Sequence, residues 1–393
     1  MAMVDDTNDL LEQLDRHLMA PCQAWLFGAG ISRGAGVPLM VPLTAKIRER
    51  AEGTAHKTVL DTLFAELPAN AHIEHLLSHL GDYAALAERA KLDEIIVGGT
   101  KIKTVAFAAA HTDMVKWIAE TVRWGYRPAQ DGKPSVTGTL GNSIVCIDEH
   151  KAFIQALFKT TQAGLHDRRG AVHLFSTNYD TLLEDALALC SVSCWDGFSG
   201  GAVAFRNFHF GEAEPVGSYR AHVIKLHGSS DWHLGDDGRI WRVREGDQYP
   251  DKTARVLIHP QSTKYLATQR DPFAAQFDLL RRALSTGKDN VLAVCGYSFG
   301  DDHINQEIEL AISAPDNRTT MIVFLCESNG WPDCISKWKN SSWSKRMYLV
   351  TDKGLYVGPT GPFYATEDGK GNPWWTFSGV TKMLKDGAEG CLQ

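Results

Sequence analysis

The chain has 393 residues, 44% hydrophobic and 22% charged, with a formal net charge of -7. That length buries a sizeable core as one large domain or two ordinary ones, and the acidic balance argues against a general nucleic-acid-binding surface. Apolar runs such as 291–295 and 321–326 are too short to span a bilayer, so no membrane is expected. The scattered Cys, with only Cys190 and Cys194 close together, give neither a disulfide framework nor a four-Cys zinc site, and 1–11 lacks a signal-peptide pattern; a reduced, cytoplasmic protein is expected.

Taken in order, 6–19 reads as an amphipathic helix with Leu10, Leu11, Leu14 and Leu18 on one side, leading into Trp25-Leu26-Phe27, a short buried-strand signal. That run breaks into Gly28, Gly30, Gly34 and Gly36 before a helical pattern over 39–51, with Lys46, Arg48 and Arg50 facing outward. A strand, a glycine turn and a helix start leave backbone N–H groups beside the positive end of a helix dipole, where a phosphate or pyrophosphate is readily held. The spacing is not the dehydrogenase fingerprint. Arg33 stands where G-x-G-x-x-G needs glycine, and glycine arrives one residue later, at Gly34. A tight turn without a ligand is the plain alternative.

No good strand run occurs over 57–165, where Ala-, Leu- and Glu-rich periodic pieces at 59–67, 73–80, 83–92, 104–122 and 151–165 predict a helical insertion. Its irregular stretch, 125–141, reads as a surface loop. His72, His75 and His79 would share a helix face, but no carboxylate or Cys completes a ligand spacing, so a polar face is expected there and no metal. Strand and helix then alternate again. Strands at 172–176, 221–226, 291–295 and 321–326 end in polar residues, with helices at 181–189, 273–284 and 302–312. The pattern is α/β: a Rossmann-like, doubly wound, mostly parallel sheet with ligands at the carboxyl ends of its strands. One domain is expected over 1–393, with its core at 20–50 and 166–350, the insertion at 51–165 and a Trp-rich segment at 351–393. Trp338, Trp343, Trp374 and Trp375 suit an interface or burial against the same chain.

The strand ends carry the polar groups that could do chemistry. Asn178 offers an amide that both donates and accepts, suited to fixing a water or a sugar hydroxyl, and Asp180 can orient it; a helix cap at either residue is the alternative. His227 can serve as a base near neutral pH, or be structural.

Gly-Ala-Gly-x-Ser at 28–32 with Gly36-Val37-Pro38, Thr-Asn-Tyr-Asp at 177–180, Leu-His-Gly-Ser at 226–229 and Gly-x-Ser at 296–298 occur in the order and approximate spacing of the sirtuin family, which the chain resembles. The resemblance implies NAD as substrate. It places the glycine loop (Gly28, Ala29, Gly30) with Ser32 and Thr177 at the cofactor, and Asn178 and Asp180 beside the nicotinamide ribose. His227 is then the base, with Gly296, Ser298, Asp301 and Glu327 on the adenosine-ribose side. Sirtuin deacylases carry two Cys-x-x-Cys pairs in a zinc module after the His-Gly, whereas 229–255 contains no Cys, and Leu39-Met40-Val41 replaces their Asp-Phe-Arg. Without a zinc-ribbon module, the chain resembles the sirtuin-like NAD hydrolases of bacterial anti-phage defence. In size it is similar to the subunit that assembles with a HerA-type ATPase. That resemblance implies cleavage of the nicotinamide–ribose bond, NAD depletion, a HerA-type partner and a large homo-oligomer, with the insertion and the Trp-rich end as contact surfaces. A non-enzymatic NAD or ADP-ribose sensor and a zinc-free deacylase are the alternatives. Gly296-Tyr297-Ser298-Phe299-Gly300 also fits a hydrolase nucleophile elbow, but the nearest following His, His303, is too close in sequence to act as its base.

Overall fold

A strand buried along its whole length is the centre of the molecule. Gln23–Phe27 lies between Asn290–Cys295 and Val172–Ser176, parallel to both. The computed structural model describes residues 5–130, 132–161, 170–207, 219–235, 238–244, 252–257, 273–285, 289–365 and 371–392. Among these, nine strands form the main sheet, in the order Thr360–Phe363, Gly354–Val357, Met347–Thr351, Thr319–Leu325, Asn290–Cys295, Gln23–Phe27, Val172–Ser176, Ala221–Lys225, Cys194–Trp195. Only the pairings of Gly354–Val357 are antiparallel. From Gln23–Phe27 the chain runs to one side of the sheet, and from Asn290–Cys295 to the other. The crevice between their carboxyl ends is therefore the topological switch point.

Alternation along the central strand divides two cores. Trp25 and Phe27 face a layer with Phe153, Phe324 and Phe377, whereas Ala24 and Leu26 face Phe175, Leu292 and Val294. Trp25 stacks on Phe27 with centroids 5.7 Å apart, and Phe153 meets both rings edge-on at 5.2 and 5.5 Å. Helices Asp5–Leu18, Asp148–Ala156, Leu182–Leu189 and Phe377–Asp386 cover the first layer; Phe273–Leu284, Asp302–Ser313 and Asp333–Trp338 cover the second. Burial on both faces explains why these strands read as apolar runs.

The insertion and the helix before it differ from their sequence reading in several respects. It contains a hairpin, Glu94–Val97 with Thr100–Lys103, turned by Gly98 and Gly99 at φ +53° and +82°. The strands are only four residues long and carry Glu94, Lys101 and Lys103, so the Gly-Gly turn was the readable signal. Ile73–Ala90 is one helix, not two pieces, and continues through Gly81. Lys46, expected to face outward, is buried, bonded to Glu49 at 2.8 Å and lying over the Tyr126 ring. The irregular 125–141 also pairs Tyr126–Arg127 with Val136–Thr137. The expected helix at 151–165 is observed as Asp148–Ala156 with a wider turn, Leu157–Thr161; 162–165 lie outside the described residues.

Two further regions were not anticipated. Lys252–Leu257, Gly228–Gly235, Ile240–Val243, Val203–Arg206 and Phe198–Gly200 make a second, antiparallel sheet, three of whose strands occupy the stretch after His227. The carboxy-terminal segment adds Gly354–Val357 and Thr360–Phe363 to the main sheet, so the sheet continues past residue 350. Trp338, Trp343 and Trp374 are buried within the chain, leaving those rings unavailable as a contact surface.

The loops that follow the two switch-point strands interlock. A Cβ on Gly28 would stand 2.5 Å from the Gly296 carbonyl oxygen, and one on Gly296 would stand 2.6 Å from the Ile31 nitrogen; Gly296 also has φ +67°. Neither backbone can recede without breaking its strand. Gly296→Ala is expected to cost roughly 2–4 kcal/mol in urea unfolding, whereas Gly201→Ala, with open space around it, should stay within about 0.5 kcal/mol.

Candidate functional site

Four strand ends converge at the switch point and are stitched together through their backbones. Gly28 N–H donates to Cys295 O at 3.2 Å, Thr177 N–H to Phe27 O at 3.0 Å and Leu226 N–H to Ser176 O at 2.8 Å. The glycine loop is a short 3-10 turn, Ala29–Ser32, and the long helix starts only at Met40. Gly30 N–H already donates to Gly296 O at 2.9 Å, and Ile31 N–H to Gly28 O at 3.2 Å. These glycines therefore serve close packing of two loops, and two of the loop's amides, those of Gly30 and Ile31, already have acceptors.

Ser32 is fully buried, and its hydroxyl donates to Asp180 Oδ2 at 2.7 Å. Asn178 Nδ2 donates to Gly28 O at 3.1 Å and reaches Ser32 Oγ at 3.2 Å. A carbonyl can only accept, so the amide nitrogen must face Gly28, and the orientation of the group is fixed. Its other end is the notable atom. Asn178 Oδ1 is buried and has no hydrogen-bond partner, a state that is costly unless a donor arrives. Asp180 also accepts Leu182 N–H at 3.1 Å, so the helix-cap role and the orienting role coexist in one carboxylate. Thr177 Oγ1 donates to Phe27 O at 3.3 Å.

Tyr179 turns away from its neighbours and joins the hydrophobic core of the insertion, where its hydroxyl donates to Glu74 Oε1 at 2.9 Å. Burial, reinforced by the Glu74 charge, holds the phenol well above its ordinary range. A cavity of about 220 Å³ lies along this seam, lined by Arg123, Trp124, Val145, Asp180, Thr181 and Ser230 among others. It borders the site on the Asp180 side; none of 28–32 lines it.

His227 is buried directly after the Ala221–Lys225 strand, its ring centroid 5.8 Å from that of His303. Asp301 joins this pair: one ligating atom from each of His227, Asp301 and His303 falls within 4.8 Å of the others. Sequence reasoning kept these residues apart because His303 and His227 lie on different strand ends, and only the sheet order brings them together. Ser298 is exposed, its hydroxyl accepting Gly300 N–H at 3.4 Å. Glu327 Oε2 accepts from Thr351 Oγ1 at 3.1 Å and from the Tyr356 hydroxyl at 2.8 Å, so the carboxy-terminal strands hold this carboxylate. His72, His75 and His79 are used within the insertion: His75 Nδ1 accepts His72 N–H, and His79 pairs with Glu66 at 2.8 Å.

Beneath the site lies a buried charge cluster that the sequence did not reveal. Lys225, 2% exposed, donates from Nζ to Asp180 O and stands 3.9 Å from Glu184. Burial pushes the Glu184 carboxyl up to about 7, against the opposing effects of Lys225 and Arg244. Arg244 also bridges Asp185 at 2.7 Å and Asp231 at 3.3 Å.

Residues 172–345 match the family model of a SIR2-like domain. The match begins at the strand that delivers Asn178 and runs past the loop that carries Asp301. No curated protein matches the chain significantly.

Two expectations follow from this geometry. Ser32→Ala removes the hydroxyl shared by Asn178 and Asp180 and should destabilise the chain by about 1–3 kcal/mol in chemical unfolding. The second concerns pH. Because the folded Glu184 carboxyl sits near 7 and the unfolded one near 4.5, the folded chain retains a proton between those values. Its stabilising contribution is whole below pH 4.5 and is lost as pH rises through about 7. Relative to Glu184→Gln, the native chain should lose on the order of 3 kcal/mol between pH 4.5 and 8, read from paired unfolding curves.

Proposed function

We propose that this chain is an NAD+ glycohydrolase, which cleaves the nicotinamide–ribose bond to give ADP-ribose and nicotinamide. The observation that carries the reading is Asn178 Oδ1, a buried acceptor held in one orientation at the switch point, without a partner. It fits a hydroxyl donor, either a ribose hydroxyl or the attacking water. The match of 172–345 to a SIR2-like domain, a kind of domain that takes NAD as substrate, supports the nucleotide.

The chemistry asks little of the leaving group. The C1′–N bond breaks with its electron pair passing to the pyridinium, which departs as neutral nicotinamide, and an oxocarbenium-like sugar develops as in glycoside hydrolysis. Water then bonds to C1′, and its proton passes to the His227 imidazole. Asn178 places the water or the ribose hydroxyl, while Ser32 and Asp180 keep the amide from turning. This division of labour puts orientation in rigid buried groups and proton transfer in a single base.

In this reading the enzyme acts in anti-phage defence by depleting NAD, and a HerA-type ATPase and a large homo-oligomer control when it does so. Support for that part is the resemblance of the 28–32, 177–180, 226–229 and 296–301 motifs. Purified chain, alone or with such a partner, should release nicotinamide from NAD. His227→Ala or Asn178→Ala should lower the rate by about 10²–10⁴-fold, followed by chromatography of nicotinamide and ADP-ribose. Turnover that survives both substitutions removes the assignment, and tight NAD binding without turnover replaces it with a sensor.

A further inference from the structure

His227, Asp301 and His303 come from two strand ends that are remote in sequence, and they bring two imidazoles and a carboxylate within 4.8 Å of one another. Each is held by its surroundings. His227 follows a strand paired on both sides, by Val172–Ser176 and Cys194–Trp195, and the His303 ring packs on Phe277 at 5.3 Å as well as near His227. The loop carrying Asp301 is pinned at both ends: Asn305 Nδ2 donates to Phe299 O at 2.8 Å, and the Tyr297 hydroxyl donates to Asp301 O at 3.3 Å. Phe299 is buried at φ +59°, which aims the loop.

We infer that these three side chains form a site for a Zn²⁺-class cation, and that its occupancy switches the enzyme off. Two imidazole nitrogens and one carboxylate oxygen are a borderline donor set. Zinc prefers it, whereas Mg²⁺ and Ca²⁺ favour all-oxygen shells. Donor atoms bound at about 2.0–2.2 Å from one tetrahedral ion stand roughly 3.3–3.6 Å apart, so the three side chains, now within 4.8 Å of one another, must draw in to close on the ion, and the fourth position stays open. Metal binding takes the His227 lone pair and releases whatever proton it held, so the imidazole can no longer accept one from water. The inhibitory half rests on the NAD-cleavage reading above; the binding half does not.

The test uses the full chain carrying Cys22→Ser and Cys146→Ser, since those two thiols are exposed and would compete for zinc. Equilibrium dialysis after chelator treatment should show one Zn²⁺ per chain, and X-ray absorption of the loaded protein should report imidazole nitrogen with no sulfur in the first shell. His303→Asn and Asp301→Asn should each weaken binding by at least about tenfold. Zn²⁺ should suppress nicotinamide release and a chelator should restore it. His303→Asn should keep its basal turnover and resist zinc. No stoichiometric binding, a sulfur first shell, or binding unchanged in both variants overturns the site. Stimulation of NAD cleavage by zinc overturns the inhibitory role. If no NAD cleavage is found at all, dialysis and absorption still decide the metal site on their own.

Discussion

The close approach of two glycine-bearing loops at the switch point is the constraint from which the site follows. Gly28 and Gly30 lie against Gly296 so closely that none of the three positions has room for a β-carbon. This contact sets how near the carboxyl ends of Gln23–Phe27 and Asn290–Cys295 come. It also fixes where the Gly28 carbonyl points, and through that carbonyl the Asn178 amide. The glycines are thus structural first. Their lack of side chains lets one backbone position another, and the polar residues inherit their geometry from that packing.

Around this contact the protein concentrates buried polar groups that are satisfied in pairs and chains. Ser32, Asn178, Asp180 and Lys225 form one connected run, from the glycine loop to the charge cluster under the second sheet. Such a network is rigid when complete and costly when broken, which concentrates the energetic penalty of substitution at a few residues. Within it, Asn178 Oδ1 and Glu184 Oε2 are acceptors left over. The first lies at the switch point. The second is balanced by keeping its proton to an unusually high pH.

Much of the architecture was legible because buried parallel strands write themselves as apolar runs ending in polar residues. Gln23–Phe27, Val172–Ser176, Ala221–Lys225, Asn290–Cys295 and Thr319–Leu325 were all readable in this way to within about two residues. The antiparallel sheet around Gly228–Gly235 was not, because its strands carry Asp231, His233 and Arg242 and resemble loop sequence. The Glu94–Val97 hairpin was too short for its periodicity to register. At the site, residue types could be named from strand ends, but pairing could not. Nothing in local sequence indicates that Ser32 spends its hydroxyl on Asp180, that Glu327 is held by Tyr356, or that His303 stands beside His227. Those contacts depend on the order of strands in the sheet, which local propensity does not encode.

Tyr179 sits within the run that presents Asn178 and Asp180, yet its ring is packed in the insertion and its hydroxyl is tied to the first turn of Ile73–Ala90. Any body that pushes on the outer helices acts on a lever whose short arm ends beside Asn178 and Asp180. The insertion cannot tilt without either dragging that phenol, and the peptide on both sides of it, or tearing it out of an apolar nest. A mechanical load applied far out on the molecule is therefore delivered to the stretch of backbone that holds Asn178 and Asp180 in place.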